Sequence, residues 1–535
     1  MTIDVGESRQ LLGPNLLWNR PGAGTDVYGP DRELDAFVRL WQKEGRRWLD
    51  ALGWTHEDLA VRRFPGQACL AISAPIDGTH LASEVHRLLT LAALRLARGE
   101  QPSDTESRFE NLARLVEQER NPALRELRAA AVRYEVGFLV DEESVTVGQG
   151  SGSLTFPIDG VPDPGAIDWA EIHDIPVVII TGTHGKTSVA RLLRRIVEAA
   201  ELEVGMDTGE EVVVSGELLQ SGEDPSAASA LRVLRDNRID VAILEVPRAG
   251  LCERGLPIEH ASAALVTRIA SRGVPAEEVV SRVLHEDSLL ILNADSAIDV
   301  VPAGVPNAWF GLDPAVRDHL GDECRTSGLW LEDGQLIWRH DGMVENVMPV
   351  SHIPSCLGGA AEHQIANVMG AVLAAGQLSI SVSDIVHGLE SFGANPLDNP
   401  GRIELRQKGD LRVLIDAAHD EVSLSALERT AGRVDATRRL WVLGAPLSDD
   451  AEERGRTLSR AAELGDWLGI AAGSSGLDPE VVEQLSCADI HLGLDPSSVA
   501  RVALQEAKPG DLLILTGDRS AAADYRELVD PIEEA

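Results

Sequence analysis

The sequence predicts an α/β protein in three parts. They are an α+β N-terminal domain over residues 1–165, a central P-loop-type parallel-sheet domain over 166–398, and a C-terminal Rossmann-like doubly wound domain over 399–535. Three observations carry this. From about Ile175 onward, β-branched runs alternate with amphipathic stretches, the pattern of a parallel sheet with helices on both faces. One run, "VVIITGTHGKTSVARLL" (Val177–Leu193), breaks into a glycine turn with one lysine and then turns helical. Two stretches rich in Pro and Gly, "FPIDGVPDPGAIDW" and "FGANPLDNPGR", interrupt the alternation, and the first reads as a linker.

In the first part, "ASEVHRLLTLAALRLARGE" and "ESRFENLARLVEQERNPALRELRAAAVRY" have helical spacing, while "CLAISAPI" and "VGFLV" read as strands. "VGQGSGS" has glycines that suit either a phosphate or a surface turn, and the turn is favoured because no helix obviously follows. The central part runs "VVII", "SVARLLRRIVEAAEL", "VAILEV", "AALVT" and "LLILNAD". The last part repeats the alternation with "LRVLIDAA", "RRLWVLGAP", "LGIAAG" and "DLLILTG". No internal repeat or low-complexity tract stands out.

An apolar share of 44% over 535 residues supports real cores. The net charge of −38 argues against nucleic-acid binding, which needs clustered Lys and Arg. The cysteines form no CxxC pair, which gives no zinc or disulfide signal and fits a reducing compartment. With no apolar run of membrane-spanning length and no basic, apolar leader, the expectation is a soluble, cytoplasmic protein that binds no membrane. There are four lysines, Lys43, Lys186, Lys408 and Lys508, and one of them sits in the glycine turn.

That turn passes the context test for a phosphate loop, strand before and helix after. Gly182 and Gly185 let the backbone approach an anion, and the helix start points N–H groups at it. Lys186 neutralises terminal phosphates and the Thr187 hydroxyl ligates Mg²⁺. An ordinary glycine turn would explain the glycines, but not the lysine and helix together. The spacing is short: Ile180 stands where the usual first glycine would be, and only Thr183 and His184 separate Gly182 from Gly185.

A strand followed by G-T-x-G-K-T/S resembles the ATP loop of the Mur ligase family. The resemblance runs from about Ile175 to about Asp518. "DVAILEVPRAGLCERGL" resembles the family's Glu-bearing strand, with Glu245, Arg248, Gly250 and Arg254–Leu256, in the version seen in the cyanophycin-synthetase branch. "LILNADS" resembles "LNADD", and "HQIANVMGAVLAA" resembles "HNxxNxxAA". "NPGRIEL" and "VLIDAAHDEVSLSALE" resemble "PGR" and "DYAHNP", and "VLGAP" also fits the branch.

The resemblance implies an ATP-dependent ligase that joins a carboxylate to an amine through an acyl phosphate, with ATP and Mg²⁺ as cofactors. It implies that Gly182, Thr183, His184, Gly185, Lys186, Thr187 and Ser188 hold the triphosphate, with Thr187 and Glu245 on Mg²⁺. It places His363, Gln364 and Asn367 near adenine, and Arg402 and Asp416 on phosphate and ribose. Lys186, Glu245 and Arg402 are the implied catalytic set. From the residues alone, Glu245 also suits a solvated strand edge, Asn367 a helix-face hydrogen bonder, Asp416 any strand-end acid, and His419 a helix cap.

The chain departs from the family pattern in places. "LVTRIASRGV" puts Arg268, Arg272 and Gly273 where Asn-Ile-x-x-Asp-His is usual, and no lysine lies between Lys186 and Lys408. "DAAHDE" brings Ala417, Asp420 and Glu421 in place of the family's residues. An arginine is therefore expected to supply the charge of a second Mg²⁺. The expected partners are small-molecule or peptide carboxylates and amines, and homo-oligomers stay open. A non-catalytic ATP-binding protein that kept the fold is the alternative, and a phosphotransferase is a third reading.

Overall fold

The computed structural model describes residues 2–100, 105–222, 227–269, 276–296, 301, 304–320, 327–340, 342–444, 451–471, 485 and 489–529. The chain divides into two compact units. The first holds residues 1–183, 201–292 and 297–307, and the second holds 184–200, 293–296 and 308–535.

The first unit begins with an antiparallel sheet. Strands β1 (Gly22–Tyr28), β2 (Leu59–Phe64) and β3 (Gln67–Ser73) form it, with short strands Asp4–Val5 and Arg9–Leu11 pairing on β1. Helix α1 (Asp31–Ala51) buries Leu34, Phe37, Val38, Trp41, Trp48 and Leu49, a helical stripe. This stripe meets α2 (Ala82–Ala97) and the inward residues Ala23, Val27, Leu70 and Ile72 of the sheet. Trp41 donates its indole N–H to Thr90 of α2 at 3.1 Å, so burying the ring leaves no orphaned donor.

The long stretch after α2 that reads as helical is two helices, α3 (Thr105–Gln118) and α4 (Pro122–Arg133). The break is local chemistry. Pro122 opens α4, and Asn121 caps it by accepting the Leu124 N–H at 3.0 Å. A small sheet follows, β4 (Phe138–Val140), β5 (Ser144–Val147) and β6 (Leu154–Pro157). The glycine string at 147–153 is no surface turn. Gly150 is buried, and a Cβ there would lie 2.4 Å from Ile175 Cδ1. The stretch read as a linker packs Ile158, Val161, Ile167 and Trp169 on the same small core, with Trp169 stacked on Tyr134 at 4.6 Å.

The rest of the first unit is a sheet of β7 (Val177–Thr181), β8 (Val204–Asp207), β9 (Glu211–Val214), β10 (Glu217–Ser221), β11 (Val241–Glu245), β12 (Ala263–Val266) and β13 (Leu289–Asn293). Its order is β10-β9-β8-β11-β7-β12-β13. The five strands from β8 to β13 in that order run parallel, as the alternation predicts, while β9 and β10 add an antiparallel extension. Helices α6 (Ala227–Leu234), α7 (Arg248–Glu253) and α8 (Ala276–Val280) lie between strands.

In the second unit, α5 (Lys186–Ala199) buries Val189, Leu192, Leu193, Ile196 and Val197. It packs with α9 (Glu362–Gln377) and α10 (Val382–Ser391). At Gly388 a Cβ would come within 2.7 Å of Ile196 Cα, so these helices meet backbone to backbone. Strands β14 (Asn307–Gly311), β15 (Ser327–Glu332), β16 (Gln335–His340) and β17 (Met343–Pro349) lie before α9. Their last two pairings are antiparallel.

The end of the chain forms a six-stranded sheet in the order β18-β19-β23-β20-β21-β22. The strands are β18 (Glu404–Lys408), β19 (Leu411–Asp416), β20 (Arg439–Leu443), β21 (Trp467–Ala471), β22 (Ile490–Gly493) and β23 (Leu512–Thr516). Alternate residues enter two cores. Leu414, Trp441, Leu443 and Ile514 meet α11 (Glu421–Arg433) and α12 (Ala451–Leu464). Val413, Ile415, Val442 and Leu515 meet α13 (Pro496–Glu506) and α14 (Arg519–Val529). That period of two is the signature of a doubly wound domain. Among the described residues no helix is long and apolar enough to cross a membrane.

Candidate functional site

In the first unit, parallel register sets the site. Glu245, the last residue of β11, pairs with Ile180, and Val266 of β12 pairs with Thr181. The carboxyl ends of three neighbouring strands therefore lie together, where ligands of open α/β sheets bind. Glu245 is buried there, and the next residue, Val246, donates its N–H to the Ile180 carbonyl at 2.9 Å. Gly182 has φ +133, and a Cβ would fall 2.2 Å from Thr267 Oγ1, so no side chain fits. Thr267 donates its N–H and hydroxyl to the Thr181 carbonyl, and Thr183 donates its N–H to the Arg268 carbonyl at 2.7 Å. The mouth of the loop is thus braced by the backbone after β12. Arg272 and Gly273 lie outside the described residues.

In the second unit, Gly185 is the N-cap of α5 with φ +92, and a Cβ there would lie 2.4 Å from Asn367 Oδ1. Asn367 also donates to Gln364 at 3.1 Å, so two residues of the α9 motif meet and one abuts the loop. The first bond of α5 runs from the Val189 N–H to the Gly185 carbonyl, which leaves the Lys186, Thr187 and Ser188 N–H groups at the positive end of the helix dipole. Thr187 is buried. The Ser188 hydroxyl turns the other way and accepts from Asn399 Nδ2 at 3.0 Å. This ties α5 to the turn that carries Arg402.

That turn is strained. Ile403, β-branched, holds φ 54, a left-handed conformation such residues avoid. Two bonds hold it: the Asp416 carboxylate accepts the Ile403 N–H at 2.7 Å, and Ala417 donates its N–H to Gly401 at 2.8 Å. Burial pushes Asp416 up to about 6, with Arg402 and the backbone donors at Ile403 and Ala418 pulling the other way. His419 meets the Ala417 carbonyl at 2.9 Å rather than capping α11.

The cap is Asp420, in a reciprocal box with Ser423. Asp420 Oδ2 also meets His184 Nε2 at 2.9 Å. Burial pushes the Asp420 carboxyl up, but the bonds from His184 and Ser423 outweigh it and hold it far below the usual carboxylate range. Sequence reading named both residues without joining them. The Asp-x-x-Ser spacing before an apolar run would have found the cap, and nothing local could have found the histidine.

Residues 180–301 match the Mur ligase middle domain. Within that matched stretch lie the loop, α5, Glu245 and Thr267. A cyanophycin synthetase of Trichormus variabilis is 29% identical over 313 residues, covering 55% of this chain and 34% of that protein. A UDP-N-acetylmuramoylalanine–D-glutamate ligase of a Synechococcus species is 25% identical over 254 residues, covering 45% of the chain and 50% of that protein. The chain therefore spans about a third of the cyanophycin synthetase it matches. The E. coli FolC structure in complex with ADP shares the fold, with TM-score 0.50 and 18% identity over 67% of this chain and 90% of that one.

Proposed function

We propose that the chain is an ATP- and Mg²⁺-dependent carboxylate–amine ligase acting on amino acids or peptides. The observation that carries this reading is the loop: two glycines with left-handed backbone, one lysine at a helix start, and Glu245 in register beside the preceding strand. Residues 182–188 cradle the triphosphate, with Lys186 on its terminal charges. Thr187 and Glu245 hold Mg²⁺, which when bound neutralises phosphate charge. Asn367, Arg402 and Asp416 complete the nucleotide set. A carboxylate oxygen attacks the γ-phosphorus and the bond to ADP breaks. The amine then attacks the acyl carbon, phosphate leaves, and the amine gives up a proton.

The N-terminal part serves substrate recognition or oligomerisation. Its support is the way it grips the segments after β11 and β12. Leu12 donates its N–H to Arg254, Leu256 donates to Pro14, and Arg62 forms a bidentate pair with Glu278 at 2.9 and 3.0 Å.

The test is phosphate release from Mg-ATP with pooled amino acids and aspartyl peptides, with Lys186→Ala beside wild type. Release that needs both a carboxylate and an amine, and falls by about 10²-fold or more in the variant, is expected. A product carrying phosphate would mean phosphotransfer. Tight ATP binding without release would favour a binding protein that kept the fold.

A further inference from the structure

The loop residues 182–185 have a weakness built in. Glycines with left-handed backbone stand at both ends, Gly182 at φ +133 and Gly185 at φ +92. Glycine is free on both sides of φ zero, so the peptide groups between them are poorly fixed by their own sterics. A cradle for phosphate works only if those N–H groups are aimed before the ligand arrives, because ordering them afterwards is subtracted from affinity. Something other than local backbone preference has to hold the loop.

Two contacts do. One is the Thr183 N–H on the Arg268 carbonyl. The other is the side chain of the one remaining residue, His184, held by Asp420 from 236 positions away. Asp420 is itself held in place by hydrogen bonds. Its Oδ1 accepts the Ser423 N–H at 2.8 Å and the Ser423 hydroxyl at 3.0 Å, while Oδ2 faces His184. One carboxylate starts a helix with one oxygen and anchors the loop with the other.

We propose that Asp420 is a positioning residue for nucleotide binding, fixing the phosphate loop through its contact with His184. The assignment rests on the loop being the site for the phosphate chain. It predicts selectivity: the anchor matters for a ligand whose distal phosphates sit in the loop and hardly at all for one without them.

The experiment measures dissociation constants for Mg-ATP and for AMP on the full chain, in wild type, Asp420→Ser, His184→Asn and the double variant. Serine caps helices about as well as aspartate but is too short to reach the histidine, so α11 keeps its start. The melting temperature reports any wider damage. ATP binding is expected to weaken about tenfold in each single variant, the order of one lost charge-assisted hydrogen bond. AMP binding should stay within about twofold, and the double variant should bind ATP no worse than either single one. Equal losses for ATP and AMP, additive losses in the double variant, or unchanged ATP affinity each overturn the assignment. A wild type that binds no ATP overturns the ligase reading as well.

Discussion

Asp416→Asn isolates the cost of a buried charge beside Arg402. The native carboxyl is pushed from 3.8 to about 6, chiefly by burial. At 1.36 kcal/mol per pH unit, that gap is worth about 3 kcal/mol. The folded protein holds this proton more tightly than the unfolded chain does. Its contribution to stability is therefore complete below pH 3.8 and is lost as pH rises through about 6. Asparagine keeps an oxygen for the Ile403 N–H and carries no charge to bury. Relative to wild type, the variant should gain about 1 kcal/mol between pH 5 and pH 7. Urea midpoints at half-unit pH steps would measure it, followed by a signal from the C-terminal tryptophans Trp441 and Trp467. Parallel profiles for the two proteins, or a variant that loses ground as pH rises, would refute the assignment of burial as the dominant cause.

The remaining predictions concern packing and the loop. Gly185→Ala forces a methyl group toward Asn367 Oδ1 and a left-handed alanine, costing about 1–2 kcal/mol and weakening nucleotide binding; urea midpoints and a binding titration check both. Ser188→Ala leaves the buried Asn399 amide short of an acceptor and should cost about 1–3 kcal/mol in the same denaturation assay. Trp41→Ala opens a cavity in the N-terminal core and strands the Thr90 hydroxyl, for a loss of about 3–5 kcal/mol in the transition of that part.

The parts legible in the sequence were those whose causes are local. A β-branched run, two glycines and a lysine announce strand, loop and helix because each acts on its own few dihedrals. The doubly wound end was legible for the same reason, its strands being short apolar runs between helices. The antiparallel strands β9, β10, β16 and β17 were not. Strings such as "ELLQS" and "MVENVMP" are half exposed at sheet margins, so hydrophobic pressure writes no clear alternation into them. At the site, the individual residues were visible and their pairings were not. His184 with Asp420, Ser188 with Asn399 and Thr183 with Arg268 depend on how separate segments register in space. Periodicity carries no information about that. The strain at Ile403 was equally invisible, since a β-branched residue after "PGR" reads as the start of a strand.

The seam between residues 12–15 and 254–256 bears on modularity. Gly255 sits at φ +76 with the Pro14 carbonyl where a Cβ would be, 2.4 Å away, and the backbones on either side exchange hydrogen bonds. A side chain at Gly255 would push the Pro14 backbone away. A different leading segment joined to the sheet that carries Glu245 would need a backbone that fits Arg254–Leu256. The two strips are thus complementary in backbone shape, although some 240 positions of sequence lie between them.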